Sequence, residues 1–229
     1  RGASRPDNPA GENVMIDLEG RVGLVTGSAT GAGAAIALAL AERGAGVCIN
    51  YSRSRDEAEE TLARVKALGV PATIYQANVG DREASAALVE HTVAKLGRLD
   101  VLVNNAGITH FVAHTDLDGM TSDKWDEILQ VNLKAPFYVA AAAMPHLKKS
   151  DGATIVNISS VAGVTGSGSS IAYAASKGAL ITLTQSLARA FAPEVRVNAL
   201  APGVILTRWV EGKDDFVSGY IEKTLIKKA

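Results

Sequence analysis

The chain runs to 229 residues, with 23 basic and 24 acidic side chains and a net charge of −1 at neutral pH. That balance offers no basic stripe to nucleic acid, and no apolar run reaches the roughly 18 residues that cross a bilayer. A single cysteine, Cys48, permits neither an intrachain disulfide nor a structural zinc site, so no metal is expected and a reducing, cytoplasmic setting fits.

Residues 1–14 (RGASRPDNPAGENV) are rich in Pro, Gly and Asn and lack the apolar stretch of a signal peptide. They read as a disordered extension or expression remnant, which leaves one domain over residues 15–229. From there the pattern is strand, turn, helix, repeated. Val22–Val25 is a short buried strand, and the Gly/Ala-rich stretch 27–44 is turn and helix. Val47–Tyr51 is a second strand, with Cys48 packed inside it. Asp56–Leu68 carries helical spacing, with Ala58, Leu62, Val65 and Leu68 on one face. A strand at Ala72–Gln76 and a helix at Ala84–Leu96 follow, then a strand at Leu99–Val103. One long helix is expected over Ser122–Leu147, a strand at Thr154–Ile158, a helix at Tyr173–Phe191 and a strand at Val195–Leu200. Alternation of this kind implies parallel pairing through right-handed crossovers. The expected fold class is therefore a single α/β domain: a Rossmann-like, doubly wound parallel sheet in three α/β/α layers. Ligands then bind beyond the C-terminal ends of the strands.

Two helical stretches, Phe137–Leu147 and Ala172–Ala192, are apolar nearly all round. A helix of that kind is buried all round, so one side is expected to meet a partner subunit, in a homodimer or homotetramer.

Chemistry gathers at the strand ends. Thr26-Gly27-Ser28-Ala29-Thr30-Gly31-Ala32-Gly33 follows the first strand directly. Glycines let a backbone turn tightly against a pyrophosphate, and a helix N-terminus offers it free N–H groups. Plain strand–helix packing also uses glycines, so the turn alone is a weak signal. Tyr173 and Lys177 lie four apart on one helix face. A phenol titrates near ~10, and a fixed ammonium beside it should lower that value toward what a general acid or base needs. Ser160 ends a strand-like run, and the small polar loop VAGVTGSGSSIA can fold back toward Tyr173. Asn132 is polar in an apolar helix and wants a partner, such as a water.

Together these residues resemble the short-chain dehydrogenase/reductase family, with a feel of its 3-oxoacyl-carrier-protein reductases and glucose dehydrogenase-like members. The family's T-G-x-x-x-G-x-G matches Thr26–Gly33, and its N-N-A-G matches Asn104–Gly107. Asn132, Ser160, Tyr173 and Lys177 match its catalytic set, and N-x-x-x-P-G matches Asn198–Gly203, followed by Thr207. The resemblance implies a hydride transfer between nicotinamide and a small-molecule carbonyl or secondary alcohol. Ser160 would hold the carbonyl oxygen, Tyr173 would give or take the proton, Lys177 would hold the ribose and tune the phenol, and Asn132 would hold a relay water. The cofactor would lie against Gly27, Ala29, Thr30, Gly31, Ala32, Asn78, Val79, Asn105, Ala106, Gly107, Tyr173, Lys177, Pro202, Gly203 and Ile205, with Thr207 on its carboxamide. Asn104 reads as a structural tie.

After the second strand stand Ser52, Arg53 and Ser54, with no acid until Asp56. An acid there would bond a ribose hydroxyl and repel a 2′-phosphate, whereas Arg53 offers that phosphate a charged fork. NADP(H) is therefore expected over NAD(H). Thr30 stands where a second basic residue is common, so use of NAD also fits. Other departures are Asn78 for the usual Asp and Ala32 for a larger aliphatic residue. Past Thr207 the family continues to a last strand that residues 208–229 do not show, and the tail is expected to be missing from the sequence. A 3-oxoacyl reductase is the leading activity, a sugar or other alcohol dehydrogenase the alternative, and an idle cofactor-binding regulator the non-enzymatic one. Candidate pocket residues are Ile108, Thr109, His110, Phe111, Val161, Ala162, Val204 and the segment from Arg208. His110 and His114 read more simply as loop surface.

Overall fold

A computed structural model describes residues 17–225 and 227; the extension expected at 1–14 lies outside them. Six short, mostly apolar segments form one parallel sheet: β1 (Val22–Val25), β2 (Gly46–Tyr51), β3 (Ala72–Gln76), β4 (Val101–Asn104), β5 (Thr154–Ile158) and β6 (Arg196–Leu200). Their order is β3-β2-β1-β4-β5-β6, which puts the reversal of winding between β1 and β4, where Val25 pairs with Val103. Helices α1 (Gly31–Ala41) and α2 (Arg55–Ala67) cover one face, and α3 (Arg82–Leu96), α5 (Ala135–Leu147) and α7 (Ile171–Phe191) the other. The first core closes on Val25, Ile49 and Val103, the second on Leu24, Leu102 and Ile155, because side chains alternate across each strand.

One expectation about helices is corrected. The stretch Ser122–Leu147 is α4 (Ser122–Leu129), a single π-helical turn (Gln130–Lys134) and then α5. The wider turn inserts a residue without changing the apolar face, so the periodicity hides it. The apolar helices keep an open outer face within one chain: Phe137 is 43% and Ile171 36% exposed, and Ala141 and Ala175 are exposed beside them. A short helix, α6 (Ala162–Thr165), fills what read as loop.

At the N-terminal end of the strands, Asp100 is 2% exposed. It accepts from Val22 N–H at 2.9 Å, from Arg98 at 2.8 and 2.7 Å, from Arg21 at 3.0 Å and from the Ser150 hydroxyl. Burial pushes this carboxyl up, but the hydrogen bonds of Arg98, Ser150, Val22 and Arg21 prevail and hold it at about 2. No helix of the described residues is long and apolar enough to cross a membrane.

Candidate active site

Every strand delivers its end to one side, and a cleft of about 1180 Å³ opens there. Gly27 (φ 60°) and Gly31 (φ 58°) take left-handed backbone that favours glycine. A Cβ on Gly27 would stand 2.9 Å from the Ala106 Cα, and one on Gly33 would meet the Gly27 carbonyl and the Asn105 amide. The turn therefore exists only with glycine. Asn105 fastens it, donating to Thr26 O at 2.9 Å and Gly27 O at 3.0 Å, while the Thr26 hydroxyl accepts from the N–H groups of Asn105 and Ala106. The N-cap of α1, Thr30, spends no side-chain bond on the helix end, and the first turn carries no acid. The N–H groups at this end open on the cleft, a cradle that fits a dinucleotide's pyrophosphate.

The opposite wall comes from β5 and α7. A Cβ on Gly163 would stand 2.5 Å from the Lys177 carbonyl carbon and 2.6 Å from the Gly178 nitrogen. Only glycine lets α6 come this close to α7, and that contact carries Ser160 to the tyrosine. The Ser159 hydroxyl donates to Lys177 O at 2.8 Å, a second tie. Ser160 Oγ accepts from Ala162 N–H at 3.1 Å and stands close enough to the Tyr173 phenol to favour its ionised form. Lys177 is 4% exposed; its ammonium donates to Ile158 O at 2.8 Å and lies 5.7 Å from the centroid of the Tyr173 ring. Asn132, fully buried in the π-turn, accepts from Ile108 N–H at 2.8 Å and donates to Ile108 O and Ser176 Oγ, both at 3.0 Å. A Cβ on Gly107 would lie 3.3 Å from Asn132 Oδ1 and 3.5 Å from Lys177 Nζ.

The family model for short chain dehydrogenases matches residues 21–217. The chain belongs to this family. A ketoacyl reductase of the granaticin polyketide synthase of Streptomyces violaceoruber is 43% identical over 199 residues, covering 86% of this chain and 78% of that protein. Among solved structures, a short chain dehydrogenase from Burkholderia cenocepacia in complex with NADP matches with a TM-score of 0.86 at 36% identity, over 93% of this chain and 86% of that one. An NAD⁺-bound xylitol dehydrogenase matches with a TM-score of 0.85 at 31% identity, over 93% of this chain and 88% of that one. The protein is thus an NAD(P)-dependent oxidoreductase of the short-chain dehydrogenase type, with a Rossmann-like sheet.

Within this dehydrogenase, each residue named above for cofactor contact lines the cleft, as do Ser160, Tyr173 and Lys177; Asn132 stands behind it. Ile108, Ala162 and Val204 line it too, whereas Thr109, His110, Phe111 and Val161 do not. His110 instead bonds Glu127 at 2.8 Å. Asn104 ties β4 to β5 through Asn157 Oδ1 at 2.9 Å. One expectation fails. Burial, with Tyr220 nearby, raises the Tyr173 phenol above its ordinary value against the lowering bond from Ser160. Lys177, its own ammonium drawn down by burial to about 8, is not among the groups that lower it.

One site residue escaped the sequence reading, and a second, Arg208, was expected only as the start of the substrate-side segment, without its partners. Asn50, at the end of β2, accepts from Gly27 N–H at 3.0 Å and donates to Ala77 O at 3.1 Å, pinning the glycine turn to the strand edge. An apolar run with one amide was the only signal. Arg208, in the 3₁₀ turn Arg208–Val210, reaches over the cleft and donates to Ser54 Oγ and Glu57 Oε1, both at 3.0 Å. Beside it, Thr207 lies 3.5 Å from where a Gly31 Cβ would stand.

Proposed function

We propose that this dehydrogenase is a ketoreductase that uses NADP(H) to interconvert a ketone, such as a 3-oxoacyl compound, and a secondary alcohol. The observation that carries the reading is the meeting of Ser160, Tyr173 and Lys177 with the Gly27–Gly33 turn in one cleft. The bound nicotinamide supplies or accepts the hydride. Ser160, whose oxygen already accepts from Ala162, keeps its proton to hold and polarise the substrate oxygen. The raised phenol of Tyr173 keeps its proton until that oxygen needs it, which suits an acid in the direction of reduction. Lys177 holds the ribose side. The gap beside Gly107 is flanked by Asn132 Oδ1 and Lys177 Nζ at the reach of one water, which would refill the proton. Asn132 itself is a positioning residue that fixes Ile108 to α7 through Ser176.

The NADP(H) reading rests on charge at the end of β2. Arg53 lines the cleft with Ser52 and Ser54, and Arg208 brings a second guanidinium to Ser54 from the other side. Arg208 thereby supplies the basic group that Thr30 does not. A 2′-phosphate there would be gripped by two planar forks. The described residues would serve as one cofactor-binding unit, and a sequence with Cys48 as its single cysteine suits a cytoplasmic home. The open outer faces of α5 and α7, with Phe137 and Ile171 on them, would close against a second copy in a homodimer or homotetramer.

The test follows the absorbance of reduced nicotinamide against a panel of ketones, with both cofactors, for the parent and for Arg53→Asp. The parent should oxidise NADPH with at least one ketone. The variant should lose about tenfold or more in kcat/KM for NADPH, the worth of a charge-assisted contact. A bound cofactor with no turnover on any carbonyl would favour an idle binder, and an unchanged cofactor ratio would remove Arg53 from the site.

A further inference from the structure

Aromatic residues are only 5% of this chain, yet five of them gather around the substrate end of the cleft. Trp209 sits in the 3₁₀ turn, and Phe216 and Tyr220 project from α8 (Asp214–Lys223). All three line the cleft facing Tyr173. The Trp209 ring lies 6.0 Å from the Tyr173 ring at 56°, and Phe216 lies 6.3 Å from Tyr220. Phe111 braces the wall from outside, edge-on to Phe216 at 5.4 Å and 87°. Gly203 seats Tyr220, since a Cβ there would touch its ring at 3.6 Å. Trp209 remains 39% exposed, so its face is on offer rather than consumed in the core.

Polar groups are few at this end. The Ser169 hydroxyl is already paired with Thr109 at 2.6 Å. Glu211 is exposed at the rim. Beside the phenol, Ser160 and Tyr220 are the described residues with a hydroxyl proton to give. A polyol needs several directed partners in a closed site and leaves buried groups unpaired without them. An open acyl chain gains little from ring faces. A flat ring stacks or meets edges at every one of these walls.

Given the carbonyl reduction proposed above, we infer that the substrate bears its ketone on a flat aromatic or polycyclic ring system. The ring lies between Trp209 and the α8 rings while the carbonyl oxygen reaches Ser160 and Tyr173. Hydride from the reduced nicotinamide then joins the carbonyl carbon, the phenol proton joins the oxygen, and the ketone leaves as a secondary alcohol with the nicotinamide oxidised.

The experiment compares three carbonyls on the NADPH-loaded protein: a fused bicyclic aryl ketone, an open-chain 3-oxoacyl thioester and a ketose. The aryl ketone should show the highest kcat/KM, and Trp209→Ala should cut it about tenfold, mostly through KM, with little effect on the thioester. Phe216→Ala should act in the same direction. Preference for the thioester or the ketose, or an equal loss on all three, would overturn the inference. A second readout separates it from the activity beneath it. In a Trp125→Phe background, emission from Trp209 should be quenched by the aryl ketone and not by the ketose. Quenching without any turnover would uphold the ring site and remove the reductase reading; neither quenching nor turnover would remove both.

Discussion

Two buried charges stand at opposite ends of the same sheet, and the fold treats them in opposite ways. Asp100, at the strands' N-terminal end, has five hydrogen bonds and stays ionised down to about 2. Lys177, at the C-terminal end, has one carbonyl partner and is brought by burial to about 8. A charge with all its partners fastens β1 and β4 to the turn after α5. A charge kept short of partners sits near its titration point, where a proton is easily moved. Stability and chemistry thus occupy different edges of one scaffold.

The comparison can be broken by mutation. The largest effect should fall on the chemical edge: Tyr173→Phe removes only the proton donor, so turnover should drop by about 10²–10⁴ with cofactor affinity kept. Activity within about tenfold of the parent, with cofactor binding followed by fluorescence, would take the phenol out of the reaction. The mirror experiment is Asp100→Asn, which leaves Arg98 and Arg21 facing a neutral amide. It should cost about 3 kcal/mol in denaturant unfolding and leave kcat of the folded fraction unchanged. Because the folded carboxyl lies below its unfolded value, its contribution is present above roughly pH 4 and fades as pH falls through about 2. The parent's advantage over the variant should therefore vanish in acid.

For Lys177→Met the sign reverses. The folded ammonium titrates at about 8 and the unfolded one at 10.5. Between those values the unfolded chain binds more protons, so the parent gains stability as pH rises. The inactive methionine variant should be the more stable protein near neutrality, by up to about 3 kcal/mol, and lose that lead by the upper end of the window. Parallel pH profiles would mean that the ammonium is not desolvated. The smallest effect on stability belongs to Arg208→Ala. Its exposed, solvent-screened pair with Glu57 should leave the denaturation midpoint nearly unchanged, whereas NADPH affinity should fall about tenfold and NADH affinity far less. Equal losses for the two cofactors would deny Arg208 the 2′-phosphate.

The same contrast explains what could be read from the chain alone. Strands such as Val22–Val25 are short apolar runs between turn residues, and Tyr173 and Lys177 share a helix face by simple spacing; both are local signals. The π-turn at Gln130–Lys134 was invisible because one added residue leaves the apolar stripe intact. The helix at Ala162–Thr165 depends on Gly163 meeting Gly178 across two elements, which a Gly/Ser-rich stretch does not announce. Arg208 finds Ser54 and Glu57 more than 150 positions away. The phenol's shift follows from burial, a property of the assembled cleft, and so the expected lowering by Lys177 was the wrong sign.

Thr207 resting on Gly31, with Arg208 fastened to Ser54 and Glu57, also sets a timetable. The segment that walls the substrate end also touches the glycine turn, so the two ligand sites share one wall. A nucleotide bound against that wall would therefore settle the surface that the ketone meets, and binding with the nucleotide first is the expected outcome. Oxidised cofactor should inhibit competitively against reduced cofactor and noncompetitively against the ketone; a random-order pattern would show that the strap yields to either ligand.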